Sequence, residues 1–105
     1  MPSNNNYAKG RNNEIRSRKW LEGRGYVVIR AAGSKGAWDL VGISKETFIL
    51  VQVKTNRWPS PAERITMQEF SVPENCARII HRWDHMGRKP RIMEVHDSFC
   101  TRMES

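Results

Sequence analysis

Apolar positions fall in short runs separated by polar and glycine-bearing segments, and each run has the length of one secondary-structure element. From about Ala8 to Glu22 the composition suits a helix, with Ile15, Trp20 and Leu21 facing inward and Gly23 and Gly25 as its stop. YVVIRAA, from Tyr26, is rich in β-branched residues and predicts a strand. DLVGIS predicts a second short strand. The dipeptide KE then turns the chain into TFILVQVKT, the longest and most apolar strand, so these two form a hairpin. WPSPAER opens a second helix with clear punctuation: Ser60 suits the N-cap, Pro61 the first helical position, and Glu63 completes a capping box. That helix runs to about Phe70, and ARIIHRW and RIMEV predict two more strands joined across the polar turn DHMGRK.

The order α-β-β-β-α-β-β predicts an α/β (α+β) fold with a central mixed sheet flanked by helices. A chain of 105 residues buries roughly two-thirds of its unfolded surface, enough for one modest core. The expectation is one domain over 1–105, with 1–7 and 97–105 as flexible tails.

The long strand poses a chemical question. Alternation puts Phe48, Leu50, Gln52 and Lys54 on one side and Ile49, Val51 and Val53 on the other. A strand apolar on both sides is covered on both sides, so Gln52 and Lys54 emerge from a largely buried surface. Burying such groups without partners costs roughly 2–7 kcal/mol or more. Across the hairpin, Asp39 begins the neighbouring strand, so a carboxylate, an amide oxygen and an ammonium can meet at one end of the sheet. Asp39 and the Gln52 oxygen are hard donors suited to Mg²⁺ or Mn²⁺. A plain Asp39–Lys54 ion pair with Gln52 bonded beside it is the competing structural reading.

Charge adds a partner class. The net charge is +7, and residues 1–38 hold eight Lys/Arg against Glu14 and Glu22, a net +6. A concentrated positive end attracts polyanions, of which nucleic acid is the commonest in cells. Lys9, Arg11, Arg16, Arg18, Lys19, Arg30 and Lys35 are the candidate phosphate contacts. No apolar stretch approaches the ~20 residues of a membrane span. The first residues lack the apolar centre of a signal peptide, so a soluble, cytoplasmic protein is expected. Cys76 and Cys100 match no metal or redox spacing, and His81 and His85 straddle a strand end and a turn rather than one helix face. Trp20 and Trp83 are expected in the core, Trp38 against the sheet, and Trp58 as an anchor for the loop before the second helix.

Glu14 in a basic helix, GYVVIRAAGSKGAWDLVGIS, and then ILVQVKT closely resemble the archaeal Holliday-junction resolvases of the PD-(D/E)XK nuclease superfamily. The resemblance covers roughly Lys9 to Thr55, with one extra residue at or near Trp38. It implies a restriction-endonuclease-like core and a metal-dependent DNA endonuclease with Mg²⁺ as cofactor and Mn²⁺ able to substitute. It implies that Glu14 contacts metal directly or through water, and that Asp39, Gln52 and the Val53 carbonyl ligate it. Lys54 matches the motif's lysine, and Ser34 and Lys35 lie in a loop resembling the one that approaches DNA phosphate. The departure is Gln52, where the motif usually has Glu; some branches of the superfamily also carry Gln there. A two-fold homodimer acting on branched or junction DNA is implied by the same resemblance. Two alternatives remain: a non-catalytic DNA-binding module with a degenerate site, and a phage or mobile-element nuclease acting on other DNA structures.

Overall fold

The computed structural model describes the backbone of residues 5–31, 37–96 and 100–102 and the side chains of 10–31 and 37–96. The elements in chain order are α1 (Asn5–Glu22), β1 (Val27–Arg30), β2 (Leu40–Ile43), β3 (Phe48–Thr55), α2 (Pro61–Glu69), β4 (Cys76–Trp83), β5 (Arg91–Val95) and β6 (Cys100–Arg102). They build a six-stranded sheet in the order β1-β2-β3-β4-β5-β6. Every neighbouring pair is antiparallel except β3 and β4, which run parallel. Parallel neighbours need a crossover, and α2 is that crossover. The sheet is therefore mixed, as the pattern of runs predicted.

Local chemistry sets the element ends. After α1 the Tyr26 amide donates to the Leu21 carbonyl and the Gly25 amide to the Glu22 carbonyl, with Gly25 at φ 93°. This is a Schellman stop, which needs a residue free to adopt positive φ. At the start of α2 the Glu63 amide donates to Ser60 Oγ (3.2 Å) and the Ser60 amide donates to Glu63 Oε1 (3.0 Å), completing the box. At its far end the buried Arg78 of β4 donates through Nη1 to the carbonyls of Met67, Gln68 and Phe70. A cation there satisfies terminal carbonyls and complements the helix dipole.

Both faces of the central strands are covered. On one, α2 and the chain around Trp38 pack Met67, Trp38, Ile80, Met93 and Val95 into a cluster with Leu50 and Trp58. On the other, Leu21 of α1 packs with Leu40, Ile49 and Val51, flanked by Trp20 and Tyr26. Gly42 belongs to this second face, where an added Cβ would lie 2.6 Å from Ile49 Cγ1. Among the described residues, no helix is long and apolar enough to cross a membrane.

Three features differ from the sequence expectation. Helix α1 begins at Asn5, inside the expected tail, because a polar first turn carries no hydrophobic period to read. Cys100–Arg102, in the other expected tail, forms β6 and pairs with the outer edge of β5, whose backbone groups need partners. The inward stripe of α1 is led by Asn13 and Ser17, at 7% and 0% exposure, while Ile15 and Trp20 are only half-buried.

Candidate active site

The site is built at the end of β3 where β2 enters the sheet. The β2–β3 ladder pairs Leu40 with Val51, yet the Asp39 amide also donates to the Val51 carbonyl at 2.8 Å. Two residues of one strand thus address one of the other, which is a β-bulge. Meanwhile the Asp39 carbonyl accepts from the Ala31 amide, so the β1 side stays in step. The bulge sits next to Trp38. Asp39 Oδ2 accepts from the Val53 amide at 2.8 Å. Burial pushes the Asp39 carboxyl above its usual range; the Val53 bond opposes this, Glu14 adds to it, and Lys54 and Arg30 pull it down.

Gln52 is 8% exposed, and its Oε1 has no hydrogen-bond partner. An unpartnered buried acceptor costs about 1–3 kcal/mol. The other buried, unpartnered side-chain polar atom among the described residues is Trp38 Nε1, beside Asp39. Trp38 itself packs in the core, edge-on to Phe70 with ring centroids 5.8 Å apart.

Lys54 pairs with Glu63 of α2, at 2.5 Å from Nζ to Oε2. Asp39 is thus not its hydrogen-bond partner, and the simple Asp39–Lys54 ion pair is replaced by Lys54–Glu63. The Lys54 bond, then the Ser60 amide, hold the Glu63 carboxyl down at about 2. Sequence reading saw Glu63 only as a capping residue; nothing local in PAER signals a second partner nine residues back.

Glu14 accepts from Arg30 Nε at 3.1 Å and lines a small hollow with Arg11, Arg18 and Arg30 beside Leu40. Arg18 also lies 3.9 Å from Glu22, and Lys19 is exposed. Arg16 is placed differently. It donates to Asn13 Oδ1 and to the Gly87 carbonyl and lies 4.2 Å over the Trp83 ring, at a cleft of about 290 Å³. Its guanidinium is a structural clamp between α1 and the β4–β5 turn. The side chain of Lys9, and Ser34 and Lys35, lie outside the described residues.

A buried polar seat anchors α1 to the sheet. Trp83 Nε1 donates to Ser17 Oγ (2.6 Å), which also contacts His81 Nδ1 (3.0 Å); Asn13 Nδ2 donates to Thr55 Oγ1 (2.8 Å). With Trp83 donating to it, Ser17 Oγ meets His81 Nδ1 as donor or as acceptor according to the tautomer of the ring. Burial, with Arg24 adding to it, lowers the His81 pKa to about 4. His85 is exposed in the turn. Among the described residues no group of three or more His, Cys, Asp or Glu could hold a metal. The candidate donors here are instead of mixed kind: one aspartate, one amide oxygen and one backbone carbonyl.

The model of the archaeal Holliday junction resolvase (Hjc) family matches residues 5–72. Among solved structures, Archaeoglobus fulgidus Hjc, a Holliday junction resolvase from an archaeal hyperthermophile, superposes with a TM-score of 0.67 at 19% identity. The match covers 92% of this chain and 84% of that one, and at this identity it establishes the fold. No curated protein matches the chain.

Proposed function

Because this chain belongs to the archaeal Holliday junction resolvase family, a family of nucleases, we propose that it is a divalent-metal-dependent endonuclease that cuts branched DNA. The observation that carries the reading is the orphaned Gln52 Oε1, buried beside a bulge that pins Asp39 to the Val53 amide. An unpartnered buried oxygen on the residue before the amide that holds a carboxylate suits a hard cation, and Asp39, Gln52 and the Val53 carbonyl, with Glu14, would hold Mg²⁺ or Mn²⁺. Such an ion acidifies water and offsets charge developing on a phosphate.

The chain's own groups divide the remaining work. Asp39 is fixed in orientation by the Val53 amide and keeps its other oxygen available. Lys54, held at Glu63, offers its remaining N–H groups to the scissile phosphate and to the attacking water. Gln52 supplies an oxygen but takes up no proton, so the proton of the attacking water leaves to a group other than residue 52. Arg11, Arg18, Lys19 and Arg30 supply charge for the DNA backbone.

Two symmetric cuts in a junction need two copies of the site, and the homodimer follows from that requirement. Val27 and Ile29 of edge strand β1 are 66% and 53% exposed, and Phe48, Ile65 and Phe70 are exposed as well. Exposed apolar side chains in such number suit contact with a second copy.

Incubation with four-way junctions, flaps and linear duplex in Mg²⁺ or Mn²⁺ tests the reading. Preferential cutting of the junction is expected. No cutting of any substrate would favour the second reading, a DNA-binding module whose site decayed at the neutral Gln52.

A further inference from the structure

We propose that Glu63 supplies the carboxylate that position 52 lacks, holding Lys54 as a positioning residue for strand cleavage. The inference rests on the nuclease reading above and extends it to a residue outside the β3 motif.

Three observations converge. Lys54 Nζ lies 2.5 Å from Glu63 Oε2, and the lysine side chain is only 14% exposed, so the contact is a shielded one. A shielded cation needs a countercharge. Gln52, two residues earlier on the same side of β3, cannot be that countercharge, and its Oε1 is unpartnered. Asp39 is committed through Oδ2 to the Val53 amide. With a neutral residue 52, Asp39 and Lys54 sum to zero; Glu63 returns the group to the single negative charge that an acidic residue 52 would give.

The carboxylate is also well fixed. Its second oxygen, Oε1, accepts from the Ser60 amide at 3.0 Å, while the Glu63 amide donates to Ser60 Oγ. Glu63 sits in the first turn of α2, opened by Pro61, where the helix dipole favours an anion. One carboxylate therefore ties the start of the crossover helix to the lysine. A side chain held at both oxygens sets the direction of the ammonium with little freedom, which is what a positioning group requires.

Glu63→Gln separates the two roles, because glutamine at this helix position still completes a capping box while losing its charge. The measurements are single-turnover cleavage of a four-way junction, DNA binding, Mg²⁺ calorimetry without DNA, and thermal melting. The expected result is a cleavage rate lower by about 10²-fold, with DNA affinity within about twofold. Adding Gln52→Glu to Glu63→Gln should then bring cleavage back to within about threefold of the parent and raise Mg²⁺ affinity. A purely structural residue would show no such rescue. Ser60→Ala is the control for the cap: it should lower the melting temperature and leave cleavage within about twofold. Three outcomes overturn the proposal while sparing the nuclease reading: Glu63→Gln cutting as fast as the parent, a defect that Gln52→Glu does not restore, or an equal loss in Ser60→Ala. A parent protein that cuts no DNA in either metal overturns both.

Discussion

Asp39 Oδ2 accepts a 2.8 Å hydrogen bond from the Val53 amide, so the strand that carries the lysine also fixes the aspartate. Main-chain geometry, rather than a neighbouring side chain, sets the direction of this carboxylate. The expected consequence is separable chemistry and binding. Asp39→Ala and Lys54→Ala each should reduce junction cleavage by about 10³-fold or more, the size of effect seen when a preorganised charge is removed. DNA affinity should stay within about threefold in both, since Arg11, Arg18 and Arg30 lie on the α1 side. Single-turnover cleavage alongside a binding titration checks this, and an Asp39→Ala protein that cuts like the parent removes the site assignment.

Gln52 brings an oxygen without a charge. Affinity for Mg²⁺ in the absence of DNA is therefore expected to be weak, and Gln52→Glu should tighten it by about tenfold, some 1.4 kcal/mol of added attraction. Calorimetry of the two proteins decides the matter; equal affinities would take residue 52 out of the ligand set.

Ser17 serves two buried partners with one hydroxyl, taking the Trp83 N–H and meeting His81 Nδ1. Ser17→Ala strands both, for a loss of about 3 kcal/mol at 1–3 kcal/mol each. In a domain of this size that is a fall of about 10 °C or more in melting temperature, measurable by calorimetry or circular dichroism. The Asn13–Thr55 bond should survive it, so the variant is expected to fold.

These elements differ in how far the sequence announced them. Ser60, Pro61 and Glu63 form their box because capping is written within four adjacent residues, and Gly25 ends α1 for the same local reason. The two-sided burial of β3 was legible too, since period-2 alternation needs no distant information. Asn13 and Ser17 were not, because their burial depends on Thr55, His81 and Trp83, 42 to 66 residues away. Arg78 reads as an ordinary charge in a strand until the end of α2 is placed over it. Arg16 reads as one more surface cation of α1 until the Gly87 carbonyl and the Trp83 ring are placed against it. At the site, the adjacency of Asp39 and β3 was visible, while the bulge and the Lys54–Glu63 pairing arise only from three-dimensional packing.

Acid should weaken the fold in a defined window. The folded His81 pKa of about 4 lies below the ordinary 6.5, so its contribution is complete above pH 6.5 and is lost as pH falls toward 4. At pH 5 the loss is about 2 kcal/mol. Glu63, lowered to about 2, acts in the same direction but only below the usual 4.5. Asp39 opposes both, because a raised carboxyl is relieved by protonation as pH falls through its folded value. Urea unfolding at pH 7.5 and pH 5, with His81 followed by NMR, tests the window; unchanged stability would mean that His81 titrates normally.

Salt dependence reports the basic face. About five phosphate contacts from the basic residues of α1 and its surroundings would give a log–log slope of roughly −4 to −5 on duplex DNA. A binding titration from low to physiological salt measures it, and a slope near zero would exclude DNA as the partner.

Helix α2 is tethered at both ends by cations from the two parallel strands: Lys54 of β3 at its first turn and Arg78 of β4 at its last carbonyls. It cannot roll or slide over the sheet without stranding a guanidinium in the interior. The crossover is therefore a fixed strut, and on the proposed function a bent or forked duplex brought to the end of β3 would meet a rigid wall. Accommodation of shape would then fall to the nucleic acid, and the stiffness of the junction arms would become a determinant of the proposed cutting rate.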